Sequence, residues 1–284
     1  MVWVLMCIRK LKMSMHKCII FIFFIFILTL LTQARNLQAA EPSLAEIQKA
    51  AEQGIPEAQC NLGLMYHSGK GVLQNQVLAA QWFQKAAEQG YAVAQSNLGN
   101  CYLQGFGVTQ NYDLAAQWFQ KAIDQGYAEA QYNWGVMLVN GQGVPQDDAK
   151  AVEWFQKAAK QGLAAAQYNL GFMYSNGRGV PKDTRKAVEW YTNAAVQGYA
   201  SAQHNLGSSY LQGEGVPQDY TKAALWYQKA AEQGFTMSQY KLGAMYGAGI
   251  GVIRDEKKAC DLLRASAAQG YEPAIEAYNK YCAK

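Results

Sequence analysis

The sequence predicts an all-α solenoid. Three observations carry that expectation: a thirteen-residue block written five times, two glycine columns with a 36-residue period, and apolar residues at helical spacing between them. The block reads AAQWFQKAAEQGY at 79–91, AAQWFQKAIDQGY at 115–127, AVEWFQKAAKQGL at 151–163, AVEWYTNAAVQGY at 187–199 and AALWYQKAAEQGF at 223–235. Gly63, Gly99, Gly135, Gly171, Gly207 and Gly243 form one column; Gly90, Gly126, Gly162, Gly198, Gly234 and Gly270 form the other. Self-similarity at such a period marks units that bury their apolar faces only against their neighbours.

The first forty residues follow other rules. Arg9, Lys10, Lys12 and Lys17 precede an uncharged apolar run, CIIFIFFIFILTLL, at 18–31, and small residues follow. This is the layout of a secretory signal peptide, with cleavage expected after Ala40 or Ala34 and with Met13 or Met15 as alternative starts to Met1. Fourteen apolar residues are short for a membrane span, which takes about twenty. An uncleaved inner-membrane anchor at 18–31 is the alternative. The expected location is the bacterial periplasm or outside the cell.

The leader also explains the charge. The chain has 25 basic and 21 acidic residues, and Arg9, Lys10, Lys12, Lys17 and Arg35 lie before residue 41, where no acid stands. The remainder holds 20 basic against 21 acidic residues, a net charge of −1. Such a balance offers no electrostatic footprint for nucleic acid, and a membrane is a partner only if the leader stays.

Residues 41–284 form the solenoid. A half repeat at 44–54 is followed by full repeats at 56–91, 92–127, 128–163, 164–199, 200–235 and 236–271, and by a terminal helix at 272–283; the reading gives about thirteen helices. In each unit the first helix shows one apolar stripe, as at Ala58, Leu62, Met65, Tyr66 and Gly69. It ends at a Gly-x-Gly turn, where glycine takes the positive φ that stops a helix. The second helix starts at Asn75, Asn111, Asp147, Asp183, Asp219 and Asp255, residue types that cap helix N-termini. Pro145, Pro181 and Pro217 stand two residues earlier. The column Ala79, Ala115, Ala151, Ala187, Ala223 and Ala259 never grows, which predicts close helix approach. The Trp-Phe/Tyr pair (82–83 and its equivalents) is expected to be core, each ring buried against the next repeat. The ends depart from the pattern as caps do, and Leu262 and Leu263 replace the aromatic pair in the last full repeat.

These motifs, A-x-A-Q-x-N-L-G-x-x-Y, then G-x-G-V, then D-x-x-K-A-x-x-W-[FY]-x-K-A-A-x-Q-G, resemble Sel1-like repeats over residues 44–283. Tetratricopeptide repeats are the close relative, with a shorter period. The resemblance implies a right-handed superhelix that serves as a protein-binding scaffold. A cysteine-rich secreted branch of the family, linked to β-lactam binding or hydrolysis, is also similar. It carries a regular cysteine pair in each repeat, whereas this chain after its leader has only Cys60, Cys101, Cys260 and Cys282.

The residues offer no catalytic constellation. His67 and His204 stand almost four repeats apart, no His-Glu-x-x-His or Cys-x-x-Cys occurs, and no serine sits in a nucleophile elbow. The Gly-x-Gly turns follow helices and lack the third glycine of a dinucleotide site. Neither catalytic residues, nor a metal, nor a cofactor is therefore expected. Export favours an oxidising compartment. Antiparallel packing about Gly270 sets residue 260 opposite about 281, so a Cys260–Cys282 bridge is expected, with two free buried thiols as the alternative. Cys60 and Cys101 are out of register and expected to stay free.

A partner-reading stripe is expected on the first helices, at positions off the packing face. The triplets are Cys60-Leu64-His67, Ser96-Asn100-Leu103, Tyr132-Val136-Val139, Tyr168-Phe172-Ser175, His204-Ser208-Leu211 and Tyr240-Ala244-Gly247. They vary where the framework does not, and they are apolar and aromatic, most of all from Tyr132 to Phe172. Such exposed patches mark interaction sites; burial of part of the stripe by superhelical curvature is the other reading. The Gln59 and Asn61 columns barely vary. Asn133 and Asn169 could hold a peptide backbone or carboxylate, although a repeated polar residue more often fixes the loop of its own or the adjacent unit. The expected function is a monomeric, non-enzymatic scaffold that binds a protein or peptide in its concave groove. The alternative is a β-lactamase-like or cell-wall-fragment-binding protein.

Overall fold

The computed structural model describes residues 42–283, so the leader lies outside the described residues. Among these there are fourteen helices and no strand, one helix more than the sequence count. α1 (Leu44–Glu52) is the half repeat. Six pairs follow: α2 (Pro56–Ser68) and α3 (Gln76–Glu88); α4 (Ala92–Gln104) and α5 (Tyr112–Asp124); α6 (Ala128–Asn140) and α7 (Asp148–Lys160); α8 (Ala164–Asn176) and α9 (Thr184–Val196); α10 (Ala200–Gln212) and α11 (Tyr220–Glu232); α12 (Thr236–Ala248) and α13 (Glu256–Ala267). α14 (Glu272–Tyr281) closes the stack. Each helix packs on its neighbours in the chain, and the chain is an all-α solenoid. Among the described residues no helix is long and apolar enough to cross a membrane.

The second helices start where the caps predict. Asn75 and Asn111 accept the amides of Leu78 and Leu114 at 3.0 Å. Asp147, Asp183, Asp219 and Asp255 accept those of Lys150, Lys186, Lys222 and Lys258 at 2.9–3.0 Å. The same lysines return their ammonium groups to the capping carboxylates at 3.1–3.7 Å. Each cap thus satisfies an otherwise free helix-end donor.

Two glycine positions set how closely things approach. The in-helix column leaves a notch for the aromatic residue of the same repeat: a Cβ on Gly99 would lie 2.7 Å from the Phe119 ring. Phe83, Phe119, Phe155, Tyr191 and Tyr227 fill these notches and are 0–3 % exposed. The second glycine of the Gly-x-Gly turn meets the preceding repeat. At Gly179, with φ +66°, a Cβ would lie 2.3 Å from the Asp148 carbonyl oxygen at the start of α7. The turn of one repeat therefore rests on the helix start of the one before.

The tryptophans correct the sequence expectation. Trp82, Trp118, Trp154, Trp190 and Trp226 are half-buried, and the last four pack against core clusters that each span two successive repeats. Lysine ammonium groups cover four of the five rings. The pair divides its work: the Phe or Tyr is sealed in the glycine notch of its own repeat, and the Trp stays half-buried beside it. The alanine column behaves as expected, 0–5 % exposed at the helix crossings.

A glutamine ladder runs through the stack. Gln95 donates to the Ala87 carbonyl at 3.2 Å and accepts from Gln125 of the next helix end at 2.8 Å, while Gln125 also donates to the Gly90 carbonyl at 3.0 Å. The pattern recurs from Gln59 to Gln269. The column is buried and no buried side-chain polar atom is left unpartnered among the described residues. It fixes the adjacent unit.

Candidate functional site

The first-helix stripe is where the repeats differ, so it is the candidate site. Its first position turns inward. Cys60 and Ser96 are buried, and Tyr132, Tyr168 and Tyr240 are half-buried. Tyr132 packs against Phe155 with ring centroids 5.8 Å apart and accepts from Asn169 of the next repeat at 3.4 Å. Tyr168 lies between Tyr191 and Tyr199, at 5.9 and 5.2 Å. Burial pushes the phenol pKa of both Tyr132 and Tyr168 up, and the amides of Asn169 and Asn205 oppose the shift. The Asn column therefore links successive first helices where it is engaged; Asn133 is half-buried.

His204 is taken up by the core. It is 9 % exposed, packed against Tyr227 and Phe235, and its Nδ1 lies 2.8 Å from Ser238 Oγ. Burial lowers its pKa to about 4, and the charge of Lys241 adds to the effect. A side chain so enclosed does not reach a partner from the surface. Inter-repeat packing claimed it because position 204 faces the next first helix.

The second and third positions stay more open, except Leu103, which is buried in the core. Leu64 and Phe172 are 40 % and 37 % exposed, and Val136 and Val139 are half-buried. Around Phe172 a hollow of about 240 Å³ opens, lined by Tyr132, Val136, Val139, Asn140, Phe155, Asn169, Phe172, Met173 and Arg178. It gathers Tyr132, Val136, Val139, Asn169 and Phe172; Asn133, Tyr168 and His204 are outside it. Sequence reading missed Arg178, the middle residue of a Gly-x-Gly turn. Its guanidinium forks onto Asp148 at 3.0 and 2.8 Å, so the rim is polar but locally neutral. The only available signal was a basic residue in a turn position that elsewhere varies freely. Hollows of 360 Å³ beside Phe235 and 300 Å³ beside Tyr246 are larger, but mostly framework columns line them. Repeated framework residues carry little specificity, which favours the smaller hollow.

The arrangement suits recognition. Burial lifts the Cys60 and Cys101 thiols to about 11, so they stay protonated and poorly nucleophilic near neutral pH. Among the described residues no group of three or more His, Cys, Asp or Glu is placed to hold a metal. Cys260 and Cys282 are bonded in the structure, their Cα atoms 5.6 Å apart, which ties the end of α14 to α13.

A family model described as the Sel1 repeat matches residues 56–91, 92–127, 128–163, 164–199, 200–235 and 236–271. No curated protein matches the chain. Among solved structures, a protective antigen of uropathogenic Escherichia coli with an SLR fold is 39 % identical, with a TM-score of 0.73 over 84 % of this chain and 51 % of its own. The present chain thus spans about half the length of that protein. A Sel1 repeat protein from Oxalobacter formigenes is 35 % identical over 75 % of this chain and 86 % of its own, with a TM-score of 0.66. An immunity protein of Pseudomonas aeruginosa is 25 % identical, with a TM-score of 0.54 over 75 % of this chain and 81 % of its own. Six consecutive matches, a 36-residue helical pair in each, and these relatives place the chain in the Sel1 repeat family.

Proposed function

We propose that the protein is an exported, non-enzymatic scaffold that seats a peptide segment of a partner protein along its first helices, with the Phe172 hollow as anchor point. Sel1 repeat solenoids commonly mediate protein–protein interaction, and the repeat fold accounts for most of the chain. The observation that supports the anchor is the hollow itself: about 240 Å³, with apolar and polar walls, and lined for the most part by residues that vary between repeats. That volume accommodates a large apolar side chain, the kind that dominates binding hot spots. The proposed location is the periplasm or beyond, and the proposed state is a monomer.

The test is a displayed-peptide selection on the purified chain, followed by affinity measurement on Phe172→Glu. Phe172 is 37 % exposed, so the variant keeps its helical circular-dichroism signal. Selected peptides should bind it at least about tenfold more weakly, as for loss of a modest hot spot. Undiminished binding refutes the anchor. Turnover of nitrocefin by the purified chain would instead support the lactam-directed alternative.

A further inference from the structure

On the outer face of the second helices, the chain covers its own tryptophans. The ammonium nitrogens of Lys85, Lys121, Lys157 and Lys229 lie 4.0, 3.8, 3.7 and 4.4 Å from the ring centroids of Trp82, Trp118, Trp154 and Trp226. A cation so placed is attracted by the negative face of the indole. Repeat four departs from this. Asn193 stands in the lysine column, and among the described residues no cation covers Trp190.

Other changes in the same turns point the same way. Thr192 replaces a long glutamine and bonds back to the Val188 carbonyl at 2.7 Å. Val196 replaces Glu88, Asp124, Lys160 or Glu232 and is 68 % exposed. α9 is also the one second helix among the described residues with no basic side chain in its last turn. The carbonyl end of a helix carries partial negative charge that a cation offsets; in α9 it is not offset. Arg185 and Lys186 stand at the opposite end of that helix, and Lys186 is paired with Asp183 at 3.6 Å. The acid Glu189 precedes Trp190 on an exposed position. A half-buried ring without the covering cation, a helix C-terminus without a basic side chain and an exposed valine thus stand within the last two turns of α9, and together they favour the two parts of a basic side chain, its charge and its aliphatic stem.

We infer that the last two turns of α9 dock a lysine or arginine side chain of a partner polypeptide, which takes over Trp190 the place the chain's own lysine takes in the other repeats. The surface is separate from the first-helix stripe and does not depend on it.

The test is a titration of the purified chain, labelled at the indole nitrogens, with an acetylated and amidated tetra-arginine peptide; a tetra-glutamate peptide is the control. The Trp190 resonance, assigned with Trp190→Phe, should shift and saturate. Those of Trp82, Trp118, Trp154 and Trp226 should stay in place. Asn193→Lys supplies the missing cover and should weaken peptide binding about fivefold, the worth of an exposed cation–π contact. Asn193→Gln, of similar length but uncharged, should bind as the wild type does. Position 193 is exposed, so both variants fold. Equal binding by wild type and Asn193→Lys overturns the inference, as does equal movement of the five second-helix indoles. A Trp190 shift that tracks protein concentration without peptide also overturns it, by making a second copy the occupant.

Discussion

Replacing Gly135 by alanine tests the packing that holds each repeat closed. An added Cβ would stand 2.7 Å from Phe155 Cε1 and 2.8 Å from Cδ1. Favourable carbon contacts lie at about 3.5–4.0 Å, so the ring must yield by about 1 Å. Phe155 is 1 % exposed and is held against Tyr132, with ring centroids 5.8 Å apart. Overpacking of this kind costs about 1–3 kcal/mol. Alanine gains about 1 kcal/mol over glycine inside a helix, which leaves a net loss of about 1 kcal/mol. Gly243 is the built-in control. There the repeat has leucines, and a Cβ would meet Leu263 Cγ and the Ala259 carbonyl oxygen at 3.2 Å. Gly243→Ala should be neutral or slightly stabilising. Urea unfolding followed by circular dichroism measures both, and Gly135→Ala with Phe155→Leu should show a coupling energy of about 1 kcal/mol in a double-mutant cycle. If Gly135→Ala stabilises the chain as much as Gly243→Ala does, the notch argument is wrong.

Two further perturbations follow from the ends and the core. His204 has a folded pKa of about 4 against an ordinary 6.5, so its stabilising contribution is complete above about pH 6.5 and is lost as pH falls toward 4. The loss amounts to about 3 kcal/mol, and His204→Gln should flatten that part of the stability–pH curve; an unchanged curve refutes the assignment. Reducing the Cys260–Cys282 bond, which spans 22 residues, should release about 3 kcal/mol of chain-entropy stabilisation. The effect should appear as faster proteolysis within α13 and α14, and identical peptide maps with and without reductant would mean the thiols are free in the isolated protein.

The fold was legible because its signals are local. The Asn/Asp caps, the helix-stopping glycines and the 3.6-residue stripes each act within one turn of the chain, and a 36-residue period repeats them six times. The division of labour between Trp and Phe/Tyr was not legible from the pair alone. Adjacent residues on a helix lie about 100° apart, so both belong to one broad apolar stripe. The missing signal was the glycine twenty residues earlier, Gly63 for Phe83 and Gly99 for Phe119, whose notch selects one ring. The Gln59 column declared itself as framework by never varying, and its ladder agrees. The stripe was legible only in part. Whether Tyr132 or His204 faces water depends on how neighbouring first helices lean together, a property of the stack that no single repeat encodes. Arg178 was illegible for the same reason, since its partner Asp148 sits in the preceding repeat.

The contrast between the sealed and the half-buried ring makes a last prediction possible. Phe155 is 1 % exposed and lies in the notch at Gly135 of its own repeat. Trp154 is half-buried, edge-on to Trp134 of the same repeat at 6.5 Å and under the Lys157 ammonium at 3.7 Å. Phe155→Ala empties a closed notch and should lower the unfolding free energy by about 3–5 kcal/mol. Trp154→Ala removes a ring that water already reaches in part, so it should cost less, about 1–2 kcal/mol. Urea unfolding followed by circular dichroism measures both. A loss for Trp154→Ala equal to or larger than that for Phe155→Ala would show that the glycine notch does not single out one ring of the pair.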